Sequence, residues 1–229
     1  MLRPINTLTL LASMFLLVGC ATQPQVGESD QSGFLADYSV LQPLGGASST
    51  EVLRWVNPNT DPSRYYAVLV DPVAMHPEPL ADSAGDNANV AVVLAALDAA
   101  IDDALAQSRL PMSETSGEGV LHLRSALTTV RAIDKPFSAN ELIPIRLVFS
   151  GLELAADGRD QEVTVVIEYE LSDSQSGEVV AMGIRKGQTE DLASRDELLS
   201  EAHLMPLLEQ WGTDFRSGLS VLTALLEGE

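Results

Sequence analysis

Val163, Val165, Ile167, Tyr169 and Leu171 fall on alternate positions of one short segment. Period-two alternation of β-branched and aromatic side chains marks a strand with one face in a core. Asp173 to Gly177 then supplies turn residues, and Val179 to Ile184 returns as a second apolar run. The two runs predict an antiparallel hairpin. A lone hairpin is marginal in water, so other elements must cover its apolar face.

Those elements are legible on both sides. Arg64 to Val73 contains an aromatic and β-branched run that ends at Asp71-Pro72, since proline cannot donate to a ladder. A proline-rich loop follows, from Met75 to Pro79. Val90, Val93, Leu94, Leu97, Ile101, Ala104 and Leu105 then recur at helical spacing, with Asp98, Asp102 and Asp103 opposite. Leu121, Leu123, Leu127 and Thr129 fit another strand. Strand, helix, strand predicts a right-handed crossover with the two strands parallel. After Lys135-Pro136, Ile145, Leu147 and Phe149 alternate ahead of Gly151, a residue suited to a bulge. Ser194 to Glu197 reads as a capping box opening a C-terminal helix, which Pro206 kinks or restarts. Leu208, Trp211, Phe215, Leu219, Leu222 and Leu226 form its apolar stripe, expected to dock on the sheet. The fold expected is α+β: a mixed β-sheet, a strand–helix–strand unit followed by antiparallel hairpin strands, with helices packed on one face.

The N-terminus gives an address. Arg3 precedes an apolar run from Leu8 to Val18, too short to cross a bilayer as a helix. The run ends Leu17-Val18-Gly19-Cys20, and Cys20 is the only cysteine in the chain. This pattern resembles lipoprotein signal peptides, in which the thiol receives a diacylglyceryl group, cleavage precedes the cysteine and the new amine is acylated. Two or more acyl chains anchor stably where one does not. Ala21, rather than aspartate, follows the cysteine; by the same resemblance this implies the outer membrane of a Gram-negative cell, with the domain in the periplasm. The expected organisation is a signal peptide over 1–19, a lipidated cysteine and flexible tether over 20–33, and one globular domain over 34–229.

Composition narrows the function classes. With Cys20 lipidated no thiol is left for a disulfide, so stability must come from packing. The formal charge is −20, with Lys135 and Lys186 as the only lysines. Such a surface repels nucleic acid and anionic headgroups, and its scattered carboxylates read mainly as a solubilising coat.

Several segments carry a family likeness. Ser32-Gly33-Phe34-Leu35, Asp37-Tyr38-Ser39 and Leu41 come first. Val56-Asn57-Pro58, the Tyr66 to Val73 strand with its Asp71-Pro72-Val73 end, and Leu171 to Glu178 with Asp173 and Gly177 follow. Together they resemble the bacterial lipoproteins grouped as domain of unknown function 3313. The resemblance covers most of the chain. It implies an envelope lipoprotein with no assigned activity, and it supplies no catalytic residues.

The search for chemistry is mostly negative. There is no Gly-x-Ser-x-Gly elbow, no His-Glu-x-x-His, no P-loop and no dinucleotide fingerprint. His76, with Met75 and Glu78, makes a poor metal cage and reads as an ordinary loop. His122 is expected to face solvent, and His203 to be a surface or boundary residue. Glu168 and Glu170 share one strand face about 7 Å apart, a spacing that could serve glycosidase chemistry but that a solvated outer face explains without further assumption. Phe34, Leu35, Tyr38 and Leu41 recur at near-helical spacing after the tether, with Trp55 a further member of the patch. Packing of an N-terminal arm is the favoured reading, and a docking patch for an envelope partner the alternative. No catalytic residue, metal or cofactor is expected beyond the covalent diacylglyceryl and N-acyl lipid on Cys20. The chain is therefore expected to be a non-enzymatic accessory or interaction protein of the envelope. Binding of lipid or a small ligand is the second reading, and an enzyme on envelope polymer or lipid the third. The expected partners are the membrane, through the anchor, and an envelope protein; nucleic acid is not among them.

Overall fold

The computed structural model describes residues 26–44, 51–77, 87–108, 110–134, 161–193, 197 and 199–224. The signal and lipid-attachment residues Leu17, Val18, Gly19 and Cys20 lie outside these, as do the strand read at Ile145 to Phe149 and most of the Ser194 to Glu197 box.

Among the described residues the strands are β1 (Gln42–Pro43), β2 (Glu51–Val56), β3 (Ala67–Val70), β4 (Ala74–Met75), β5 (Val120–Asp134), β6 (Gln161–Asp173) and β7 (Val179–Gln188). The helices are α1 (Asn87–Ala106) and α2 (Glu201–Ala224). One mixed sheet runs β1-β2-β7-β6-β5-β3, with β4 also on β5. β3 and β5 are parallel across α1, as the crossover requires. β5, β6 and β7 are antiparallel neighbours. At the β6–β7 turn, Asp173 Oδ1 accepts from the Gln175 and Ser176 amides and the Ser176 hydroxyl. Gly177 closes the turn at φ 74°, a conformation that costs glycine little. The fold class read from the sequence holds: an α+β fold with an open mixed sheet.

Both helices pack on one sheet face. Val93 and Leu97 of α1 and Leu204, Leu207, Leu208 and Trp211 of α2 share a buried cluster with Leu127, Val163 and Val165. A second cluster on the same face joins Leu105 and Leu219 to Leu121, Leu123 and Leu171. Asp98 departs from the purely solvent-facing role of its neighbours: its Oδ1 accepts the Val73 amide at 2.8 Å, tying α1 to the connection just before β4.

Three further details differ from the sequence pattern. The β5–β6 register shifts between Leu127 and Thr129, so Thr129 pairs with Val166 and Val130 with Val165. A bulge inverts face parity. Val130, not Thr129, therefore continues the inner face of Leu121, Leu123 and Leu127. α2 starts at Glu201 and continues through Pro206 without a restart. The folded chain also begins before Phe34, because Val26, Asp30 and Ser32 of the segment read as tether contact the sheet.

Candidate functional site

The second sheet face is covered by the N-terminal arm. Leu35 inserts into a buried cluster with Val166, Met182 and Ile184, and Val26, Phe34, Tyr38, Val40, Leu41 and Trp55 pack around it. The structure thus gathers Phe34, Leu35, Tyr38, Leu41 and Trp55 on one face. Leu35 is the buried member, and the others are half-buried.

Beneath the arm lies Glu168, fully buried at 0% exposure. The outer-face reading of Glu168 is corrected here: the arm excludes the water that would have solvated it. A buried carboxyl demands hydrogen bonds, and the arm provides them. Ser32 N–H donates to Oε1 at 2.9 Å, and the Tyr38 hydroxyl donates to Oε2 at 2.6 Å. Tyr38 Oη in turn accepts the amides of Gly33 at 2.8 Å and Leu35 at 3.2 Å. One phenol therefore folds the arm around itself and fastens it to β6. Burial, and then donation to Glu168, raise the Tyr38 pKa above the ordinary tyrosine value. Asp37 closes the next turn by accepting the Ser39 hydroxyl and amide, which lower its pKa.

A second fastening sits at the start of the arm. Lys186 Nζ lies 3.0 and 3.2 Å from the two carboxylate oxygens of Asp30. Both side chains are largely buried, which makes the pair less screened than a surface bridge. At the other side Phe34 meets His76 edge-on, with ring centroids 5.8 Å apart, and Arg124 sits 5.2 Å over its ring. Arg124 also reaches Glu170 at 3.4 Å. Glu168 and Glu170 thus have different partners: one holds the arm and the other an arginine. His122 is half-buried, not simply solvent-facing, with Nε2 3.0 Å from Asp71.

The family described as "Protein of unknown function (DUF3313)" matches residues 30–215, a span that holds Asp30, Ser32, Tyr38, Glu168 and Lys186. The chain belongs to this family. A relative, "Uncharacterized lipoprotein YdcL" of Escherichia coli strain K12, is 28% identical over 205 residues, covering 89% of this chain and 91% of that protein. The same protein from Escherichia coli O157:H7 matches equally. Among solved structures, a PelC dodecamer from Paraburkholderia phytofirmans is a loose likeness at 13% identity and TM-score 0.35, covering 72% of this chain and 91% of that one.

Three other features of this DUF3313 chain bear on its chemistry. His203 Nδ1 lies 2.7 Å from Ser200 Oγ and accepts the Ser200 amide at 3.1 Å, while Nε2 lies 3.3 Å from Glu197. The Ser–His–Glu order looks like a relay, but the amide occupies the nitrogen that a nucleophile would need. The group caps the start of α2. Arg185, on the helix side, lies 3.0 Å from Asp214 and 5.8 Å over the Trp211 ring. Burial lowers its pKa, and Asp214 opposes the shift. Between α1 and α2 runs an open groove of about 460 Å³, lined by Ala96, Ala100, Met205, Leu208 and Gly212 and also by charged side chains such as Asp103, Glu201, Glu209 and Arg216. Among the described residues no three metal-ligating side chains converge, and no helix is long and apolar enough to cross a membrane.

The sequence reading missed Glu168 as the key residue. Its only signal was a polar side chain in the cleanest strand. The donors that bury it stand 136 and 130 positions away in the chain.

Proposed function

We propose that this chain is a lipid-anchored envelope lipoprotein that acts by presenting a binding surface to another envelope protein, without catalysing a reaction. In this reading Cys20 carries a diacylglyceryl group and an N-acyl chain, and the domain hangs in the periplasm from the outer membrane, the location that Ala21 favours. The lipoprotein relative and the family membership support the anchor. The observation that carries the reading is the buried Glu168 latch: the segment leading from the lipobox is built into the domain, so anchor and fold form one device. The five patch residues at positions 34, 35, 38, 41 and 55 supply most of the packing, and the half-buried rims of Phe34, Leu41 and Trp55 are the part of that face a partner would touch.

Cross-linking in intact cells followed by pull-down and mass spectrometry tests it, with a Cys20→Ala form carrying its signal as control. The expected result is one dominant partner whose yield falls at least fivefold in the control. No partner from either form overturns the reading. The helix groove, whose floor is apolar and whose rim carries charged side chains, motivates binding of a small amphipathic ligand such as a lipid as the second reading. Lipid co-purifying in stoichiometric amount with the wild-type domain, and lost on Gly212→Leu, would establish it.

A further inference from the structure

We propose that Arg54, Tyr169 and Arg185 form a binding site for a singly charged phosphodiester. The site lies on the helix side of the sheet, beside α2 and toward β2.

Three strands bring these side chains together. Arg54 on β2 and Tyr169 on β6 both stand opposite Gly183 of β7. Trp55 packs with Met182 on the arm side, so strand alternation puts Arg54 on the other face. Tyr169 is on that face too, packed against the Leu105 and Leu219 cluster. With no side chain at 183, the Tyr169 ring lies across β7, its hydroxyl 2.7 Å from where a Cβ would stand. Directly opposite Cβ positions are about 5 Å apart, which leaves the hydroxyl within about 8 Å of the Arg54 Cβ. Arg185 is two positions along β7 on the same face, about 7 Å away.

Donors outnumber acceptors here. Among the described residues Arg54 has no carboxylate partner, and the Tyr169 hydroxyl has no hydrogen bond. Arg185 has Asp214 at 3.0 Å, yet its Nη1 is buried and out of line for a hydrogen bond. Burial raises the Tyr169 pKa, and the Arg185 and Arg54 charges oppose the rise. Both arginines with Asp214 leave a single positive charge in a chain of net charge −20. That net charge repels anions at long range, so binding rests on the local donors. Guanidinium forks match carboxylate and phosphate oxygens. The surplus of one charge suits a monoanion, and donors from three strands suit a tetrahedral group better than a planar one. A phosphodiester is both. Val56, at 45% exposure, and half-buried Ala181 and Phe215 give apolar surface beside it for the organic part of the ligand. A phospholipid headgroup and a soluble phosphate ester offer the same chemistry.

The test follows the melting temperature of the full chain in dodecyl maltoside micelles. Glycerophosphoglycerol, a soluble phosphodiester, is compared at about 10 mM with sodium chloride of equal ionic strength. We expect it to raise the melting temperature by about 3 °C beyond the salt. Arg54→Gln and Tyr169→Phe should each cut that rise at least threefold. Arg124→Gln, which alters an arginine on the arm side, should leave it intact. No rise from the soluble diester or from the lipid micelles below, or a rise that Arg54→Gln and Tyr169→Phe do not change, overturns the site. A rise lost equally in Arg124→Gln marks a general charge effect and overturns it too. Micelles carrying about one tenth phosphatidylglycerol separate the two sources. A larger rise there, lost in the same two variants, assigns the site to a lipid headgroup. A rise with the soluble diester alone assigns it to a soluble ester.

Discussion

At Glu168 two donors from the half-buried Ser32 and Tyr38 of the arm converge on one fully buried carboxyl. Replacing Glu168 with Ala strands the Tyr38 hydroxyl and the Ser32 amide and opens a void. The expected loss is about 3 kcal/mol, read from urea unfolding. Tyr38→Phe leaves the carboxyl with one donor and two amides without an acceptor, for about 1–2 kcal/mol. Because both act through one contact, the double variant should fall short of the sum by about 1 kcal/mol. Full additivity would mean that the two side chains act independently. Asp173 gives a pH prediction. The Ser176 and Gln175 amides and the Ser176 hydroxyl stabilise its charged form and lower its pKa, against a smaller effect of burial. A lowered folded pKa adds stability above the unfolded value, about 3.9, and that stability is lost as pH falls through the folded value. Asp173→Asn should therefore lower the unfolding midpoint at pH 7, and the gap from wild type should close below about pH 4.

Two glycines in regular elements should respond oppositely to alanine. A Cβ at Gly183 on β7 would lie 2.5 Å from the Leu53 carbonyl oxygen and 2.7 Å from the Tyr169 hydroxyl. The Leu53 backbone cannot yield and the half-buried Tyr169 ring has little room to, so Gly183→Ala should destabilise by about 2 kcal/mol. A Cβ at Gly218 on α2 would meet nothing within 4 Å. There the change restores helix propensity and should stabilise by about 0.5–1 kcal/mol. Thermal melts of the two variants check the opposite signs. At this scale the strands were readable because apolar side chains alternate. The bulge after Leu127 was not readable, since Thr128 and Thr129 carry no local mark of which one is the extra residue. The start of α2 was displaced from Ser194 to Glu201 by Ser200 and His203, a cap built from a less usual pair.

Among the described residues the molecule is a sheet between two unlike covers. Two amphipathic helices form one, and an arm of some sixteen residues forms the other. Deleting residues 26–41 should bare Val166, Met182 and Ile184, and the truncated protein should bind a hydrophobic dye and self-associate in gel filtration. A monomer that leaves the dye dark would show that the arm is dispensable to the fold. The net charge of −20 opposes compaction through self-repulsion, which salt screens. The melting temperature should accordingly rise as sodium chloride is taken from 20 to 500 mM. A fall would mean that attraction within ion pairs such as Lys186–Asp30 outweighs the repulsion.

Local chemistry determined a good deal of this protein: the parallel pair around α1, the β6–β7 hairpin with its Asp173 turn, and the apolar stripe of α2. Each depends on side chains only a few positions apart, where spacing alone sets which face they share. The tertiary structure decided where the arm lies and why Glu168 is buried. Those depend on groups more than a hundred residues apart in the chain, and their pairing exists only once the sheet has formed the face on which the arm comes to rest.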